Sequence, residues 1–377
     1  MDVQKLTFST GWGVAAVLCS LFAAAAPAQQ PGIANTGKYT FTPFDAPGAG
    51  TGAFQGTVAY GTNQAGAVVG YYFDAGGTAY GFLRDSAGSF TSFAAPGAGD
   101  DGTWPFSINS SGDVTGLYYD PSVVRHGFVR AADGTITTFD APGAGTGDAQ
   151  GTSPSFINAM GDIAGFYLDA GNVFHGFVRV ASGAITTFDA PGAGTGASQG
   201  TYAYSINTAG AIAGFYVDTN TLYHAFVRTP SGAITTFDAP GAGTEGDQGT
   251  EAYSINTAGA IAGWYYDAGD VAHGFVRDAD ATITTFDSPG AGTSALQGTF
   301  AYSINAGGTI VGWISDATNT ARGFVRAPNG DTDTFSTPLG GTKPGEGTVS
   351  YSVSQNRNIT GTYTDEGYVF HGYLVVP

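Results

Sequence analysis

The chain has 377 residues, of which 42% are hydrophobic, 13% aromatic and 61 in number glycine, a balance that describes short strands joined by tight turns rather than disorder. Twelve Lys+Arg against 30 Asp+Glu leave a net charge of −18, which repels phosphate backbones and anionic lipid and argues against nucleic acid as a partner.

In chain order, the first element is a targeting segment. Lys5 precedes an apolar run from Val14 to Ala26, and Ala26-Pro27-Ala28 is a small-x-small cleavage signal before Gln29. Residues 1–28 therefore read as a secretory signal peptide. The single cysteine, Cys19, lies inside it, so the exported protein is expected to have no disulfide, thiol chemistry or thiolate metal site. Residues 29–37 read as a short linker. Further on, no apolar run approaches the roughly 20 residues of a membrane span, and the expectation is a monomer that is secreted or held in the periplasm.

From residue 38 to 377 one unit is repeated. Phe-Asp-Ala-Pro-Gly-Ala-Gly begins at Phe44, Phe139, Phe188 and Phe237, with altered versions at Phe93, Phe286 and Phe335. From Phe139 onward the step is 49 residues, and the step from Phe93 to Phe139 is shorter by three. Such a period belongs to propellers, solenoids and arrays. In the copy from Thr201 to Gly241 four strand-like segments stand between turn signals: Thr201 to Ile206 (A), Ala211 to Val217 (B), Leu222 to Arg228 (C) and Ala233 to Phe237 (D). An Asn-x-x-Gly turn at Asn207 joins A to B, and an Asp turn at Asp218 joins B to C. A glycine recurs inside strand B, as Gly214, which implies close approach of a neighbouring backbone or large side chain.

The repeat therefore predicts a four-stranded antiparallel meander. The chain opens with an orphan D strand, Tyr39 to Phe44, and ends with an A, B and C set, Thr348 to Leu374, that lacks its D. Joining them completes a seventh unit, so the predicted fold is all-β: a single seven-bladed β-propeller closed by the N-terminal strand. A β-solenoid is the competing reading, but it has no use for complementary half-units and wants polar caps instead.

Strand C reads His126-Gly127-Phe128, His175-Gly176-Phe177, His224-Ala225-Phe226 and His273-Gly274-Phe275, with variants at Tyr80, Arg322 and His371. Together with Ile-Asn-x-x-Gly and Asp-Ala-Pro-Gly-Ala, this resembles the bacterial extracellular repeat proteins called the HAF family, over residues 38 to 377. The resemblance implies a secreted or surface repeat protein and carries no catalytic activity or ligand with it.

All five histidines share one strand C slot. Strand C lies about two strand spacings outside strand A, so His126, His175, His224, His273 and His371 diverge from one another and do not share a metal. They are expected to be structural ties to a backbone group or to the Asp six residues earlier: Asp120, Asp169, Asp218, Asp267 and Asp365. The arginine four residues after the slot, as in Arg228, is expected to pair with an acid of the adjacent unit, the Asp of Phe-Asp-Ala-Pro being the candidate. A polar slot before Gly-Thr, filled by Gln55, Gln150, Gln199, Gln248 and Gln297, offers one oxygen per repeat. Calcium wants several that converge, so no cofactor is indicated strongly.

Specificity is expected where copies depart from one another on loops: Asp100, Asp101, Trp104, Glu251, Lys343 and Glu346, with Trp104 as a stacking platform for a sugar. These would lie on the face shared by the D to A loops and the Asp turns. The functional expectation is a non-catalytic extracellular binding or scaffold module with a glycan as its ligand class. The alternative is a carbohydrate-active enzyme on the same fold, with Asp100, Glu251 and Glu346 converging as paired carboxylates.

Overall fold

The computed structural model describes Ala34–Asn35 and residues 39–376; the expected signal peptide and most of the expected linker lie outside the described residues. Every regular element among them is a β-strand, and none is a helix long and apolar enough to cross a membrane. In one copy strand A is Gly200–Ile206, B is Ile212–Val217, C is Tyr223–Arg228 and D is Ile234–Phe237, each antiparallel to the next. The copies opening at Gly56, Thr103, Gly151, Gly249 and Gly298 pair in the same way.

The last copy runs Gly347–Val353, Ile359–Thr364 and Phe370–Val376, and takes Thr40–Phe44 as its fourth strand, with Thr42 opposite Leu374. The same copy meets the first one. Phe370 bridges Gly56, Ala59 N–H donates to Thr362 Oγ1 at 3.1 Å, and Tyr60 stacks on Tyr351 at 4.8 Å between ring centroids. The units thus follow one another around a ring in which the first packs on the last, an arrangement an open solenoid excludes.

Between units the packing is aromatic. Tyr202 is fully buried against Phe174 at 4.3 Å and Phe215 at 4.8 Å. Gly214 leaves room for this: a Cβ there would collide with the Tyr202 carbonyl and meet the Phe226 ring at 2.9 Å. Gly200 has a φ of +117° and lies against the Phe174 backbone of the preceding unit, so it has two reasons to carry no side chain.

Loop connections segregate to two faces. Asp247 N–H donates to Thr221 O at 2.9 Å, placing a D to A loop on a B to C turn. On the other face Ala132 N–H of a C to D turn donates to Asp113 Oδ1 at 3.2 Å beside an A to B turn. Each Thr of Gly-Thr anchors its own loop, as when Ala190 N–H donates to Thr201 Oγ1 at 2.9 Å.

Candidate functional site

The repeated polar residues are committed to the frame. Each histidine sits between two carboxylates. His224 Nδ1 donates to Asp238 at 3.0 Å while its Nε2 faces Asp218 at 3.8 Å. His126, His175 and His273 stand likewise between Asp120 and Asp140, Asp169 and Asp189, and Asp267 and Asp287. His371 joins Asp365 to Asp45, 2.9 Å away on the loop after the N-terminal strand. The Asp six residues earlier faces each Nε2 at 3.3–3.8 Å, and the Asp of Phe-Asp-Ala-Pro is a second partner that the repeat spacing did not reveal.

That second partner corrects the arginine assignment. With its Asp held by histidine, Arg228 lies over the Phe188 ring of the preceding unit at 4.8 Å, and Arg179 over Phe139 at 4.8 Å. The phenyl ring is available because it covers the strand C glycine: a Cβ on Gly176 would meet Phe188 at 2.8 Å.

Three of the six expected ligand residues are not free loop residues. Trp104 packs on Tyr71 at 4.3 Å and Phe73 at 5.6 Å, and its Nε1 donates to Asp101 O at 2.6 Å; it is part of the wall between units, not an exposed platform. Glu251 lies on strand A, 3% exposed, where Tyr253 donates to its Oε2 at 3.2 Å. Burial pushes its pKa up to about 8. Glu346 is also buried. It does for its loop what glutamine does elsewhere, accepting from Lys343 N–H at 2.8 Å as Gln199 accepts from Gly196 N–H at 2.9 Å. Lys343 Nζ, 3.3 Å from Glu346 Oε1, also donates to Glu366 O at 3.1 Å, supplying the donor that a carboxylate lacks. Asp100, Asp101 and Lys343 are exposed as expected, the two aspartates beside a cleft of about 620 Å³ lined also by Tyr80 and Asp120. The six belong to different units: Asp100, Asp101 and Trp104 enter the strand A of Thr103–Ile108, Glu251 lies on Gly249–Ile255, and Lys343 and Glu346 on the loop before Gly347–Val353. Among the described residues no group of three or more His, Asp or Glu is placed to hold a metal ion.

The larger concavity, about 670 Å³, lies on the ring axis and is lined by strand A of every unit. Its origin is a β-bulge. In each strand A the pairing slips by one residue, between Ala203 and Ser205 in one copy and between Ala252 and Ser254 in the next. The residue left out of the ladder is re-aimed. Those residues are Tyr60, Phe106, Ser155, Tyr204, Tyr253, Tyr302 and Tyr351, and all line the cavity. Their rings touch in sequence: Phe106 to Tyr60 at 5.2 Å, Tyr351 to Tyr302 at 5.5 Å, Tyr302 to Tyr253 at 5.2 Å and Tyr253 to Tyr204 at 4.5 Å.

Exposed turn residues Gln64, Ser110, Thr208, Thr257 and Gln355 form the mouth. They belong to the A to B turns, so the cavity opens on the face opposite the D to A loops. A belt of asparagines ties this rim, Asn158 Nδ2 donating to Asn207 O at 3.0 Å and Asn207 Nδ2 to Asn256 O at 3.1 Å. No Lys, Arg, His, Asp or Glu is among the lining residues. Burial pushes the Tyr60 pKa up to about 12 and those of Tyr253 and Tyr302 well above the ordinary phenol range, so the rings carry neutral hydroxyls. An uncharged, aromatic, hydroxyl-bearing cavity is suited to binding.

No family model and no curated protein matches the chain. Among solved structures it is similar to the BP39L lectin from Burkholderia pseudomallei, at 11% identity over 84% of this chain and 94% of that one, with a TM-score of 0.51. It is also similar to a puromycin hydrolase at 12% identity (88% of this chain, 58% of that one, TM-score 0.49). A third similar structure is the fungal Aleuria aurantia lectin, a six-bladed β-propeller, at 11% identity (74% and 93%, TM-score 0.41). The chain thus shares the all-β fold of a lectin, at an identity that speaks for fold alone.

Proposed function

We propose that the protein is an exported, non-catalytic carbohydrate-binding protein of the HAF-repeat type, built as a closed seven-bladed β-propeller that takes a neutral glycan in its axial cavity. The observation that carries this reading is the arc of six aromatic rings beneath a rim of Asn, Ser, Thr and Gln, with no charged side chain in the wall. The apolar C–H face of a pyranose packs on aromatic faces, and its hydroxyls exchange hydrogen bonds with neutral amides and hydroxyls. Lectin is what BP39L is called, and the ligand class is in keeping with that, although propellers host many functions. Glu251 keeps its proton to about pH 8, which suits an acid catalyst. It stands behind the wall without a second carboxyl in the cavity lining, and glycosidic cleavage runs on a pair.

The test is a glycan array with purified protein beginning at Gln29, followed by the same array with Tyr302→Leu, which removes one ring face and its hydroxyl. Binding of neutral glycans by the first and its loss in the second is the expected result. A blank array, or binding indifferent to Tyr302, overturns the reading. N-terminal sequencing of protein recovered outside the cell should begin at Gln29.

A further inference from the structure

The axial cavity is not symmetric, and its asymmetry lies in the third repeat. The six aromatic rings form an arc that is interrupted between Phe106 and Tyr204, where the bulge residue is Ser155. Two residues earlier along strand A, the other units carry Val58, Trp104, Tyr202, Glu251, Phe300 and Val349. The four largest of these do not reach the cavity surface, whereas Val58, Ser153 and Val349 form part of its wall. Ser153 is the polar one of those three. It is 2% exposed and its Oγ has no hydrogen-bond partner. A buried hydroxyl left without a partner forfeits the hydrogen bonds it made in water.

One further departure lies in the same strand. The residue after the bulge is Ser or Gly in the other units, and its hydroxyl ties the next unit, as Ser205 Oγ accepts from Ile255 N–H at 3.2 Å. In the third unit it is Phe156, 38% exposed and part of the cavity lining. One strand therefore presents an exposed aromatic ring, a gap in the aromatic arc and, deeper, a hydroxyl in want of a partner.

Resting on the carbohydrate reading above, we propose that Ser153, Ser155 and Phe156 form a single monosaccharide subsite. In it one terminal, neutral pyranose stacks on Phe156, enters the gap at Ser155 and exchanges a hydrogen bond with Ser153 Oγ. Because the departure occurs in one unit, the protein binds one such ring per molecule, despite the near-identity of its repeats.

The experiment is calorimetric titration with methyl glycosides of glucose, galactose, mannose, fucose and N-acetylglucosamine, on wild-type protein and three variants. Ser155→Tyr restores the repeat residue and closes the arc; it should abolish binding. Ser153→Ala should weaken binding by about tenfold, the size expected for one lost hydrogen bond, with an unchanged or higher melting temperature. Phe156→Ser restores the tie to the next unit and should also weaken binding without loss of stability. Since the last two remove an unpaired group or add a tie, they keep the proposal testable if Ser155→Tyr fails to fold. A stoichiometry near one with these losses supports the subsite. A stoichiometry of several, or affinity unchanged in Ser153→Ala and Phe156→Ser, overturns it while leaving the carbohydrate reading in place. Failure of wild-type protein to bind any glycan on the array overturns both.

Discussion

Glu251 shows how one residue in a repeat tunes a whole structure. In the equivalent strand A position other units bury Tyr202 or Phe300, and here a carboxyl fills the slot beside Tyr253. Burial raises its pKa from 4.5 to about 8. The unfolded chain releases this proton near 4.5 and the folded one near 8, so folding takes up a proton between those values and stability falls as pH rises through that window. Below it the residue has no pH effect. Glu251→Gln should remove this slope and, above pH 8, leave the protein more stable than wild type by on the order of a few kcal/mol. Melting curves at pH 4, 6 and 8.5 that run parallel for the two proteins would contradict the assignment. Arg228 supplies a second test at this scale: its stacking on Phe188 at 4.8 Å should give a coupling of about 0.5–1 kcal/mol in a double-mutant cycle of Arg228→Met and Phe188→Leu.

At the scale of elements, the joints between strands are made by the histidine slot. Asp218 is held charged: burial works against it, but N–H donors from Leu222 and Asn220 outweigh that and lower its pKa. His224 is raised, first by its hydrogen bond to Asp238, against burial. For His371 burial lowers the pKa and the bond and charge of Asp45 more than restore it, so the net shift is upward. A histidine raised above 6.5 stabilises the fold fully below that pH and loses its contribution as pH climbs through its folded value. His371→Gln should therefore lower the melting temperature more at pH 5.5 than at pH 8.5. A deficit independent of pH would mean that the tie acts through shape and not through charge. This joint differs from the other four in linking residues 326 positions apart.

At the scale of the molecule, closure depends on the strand Thr40–Phe44. Phe41 is 1% exposed and packs on Tyr373 at 6.0 Å and Phe335 at 5.6 Å. Removing residues 38–45 takes away this core, the Asp45 partner of His371 and the pairing of the last strand, and leaves an unpaired edge. The truncated protein should melt well below wild type and aggregate. Phe41→Ala, a milder cut, should cost about 3–5 kcal/mol. An unchanged melting temperature in both would mean that the ring does not need its N-terminal strand.

What the sequence determined by itself was the unit and its closure. A 49-residue step, Asn and Asp turns, the strand B glycines and complementary half-units at the two ends predict four-stranded antiparallel units and the pairing of the first strand with the last. These are local or periodic properties, set by turn chemistry and alternation. What the tertiary structure decided was where side chains of different units meet. The repeat spacing puts Asp140 and Asp189 in reach of neither His nor Arg in particular, and packing of Phe139 over a glycine is what gives the arginine a ring and the histidine a carboxylate. A one-residue bulge in strand A turns residues such as Tyr204 and Tyr253 onto the axis. The concave surface opens on the face of the A to B turns, with Ser153 and Ser155 in its wall where a ring is absent. Alternation along a strand fixes which side a residue takes only while the pairing is regular, and a bulge, set by contacts between strands, reverses it.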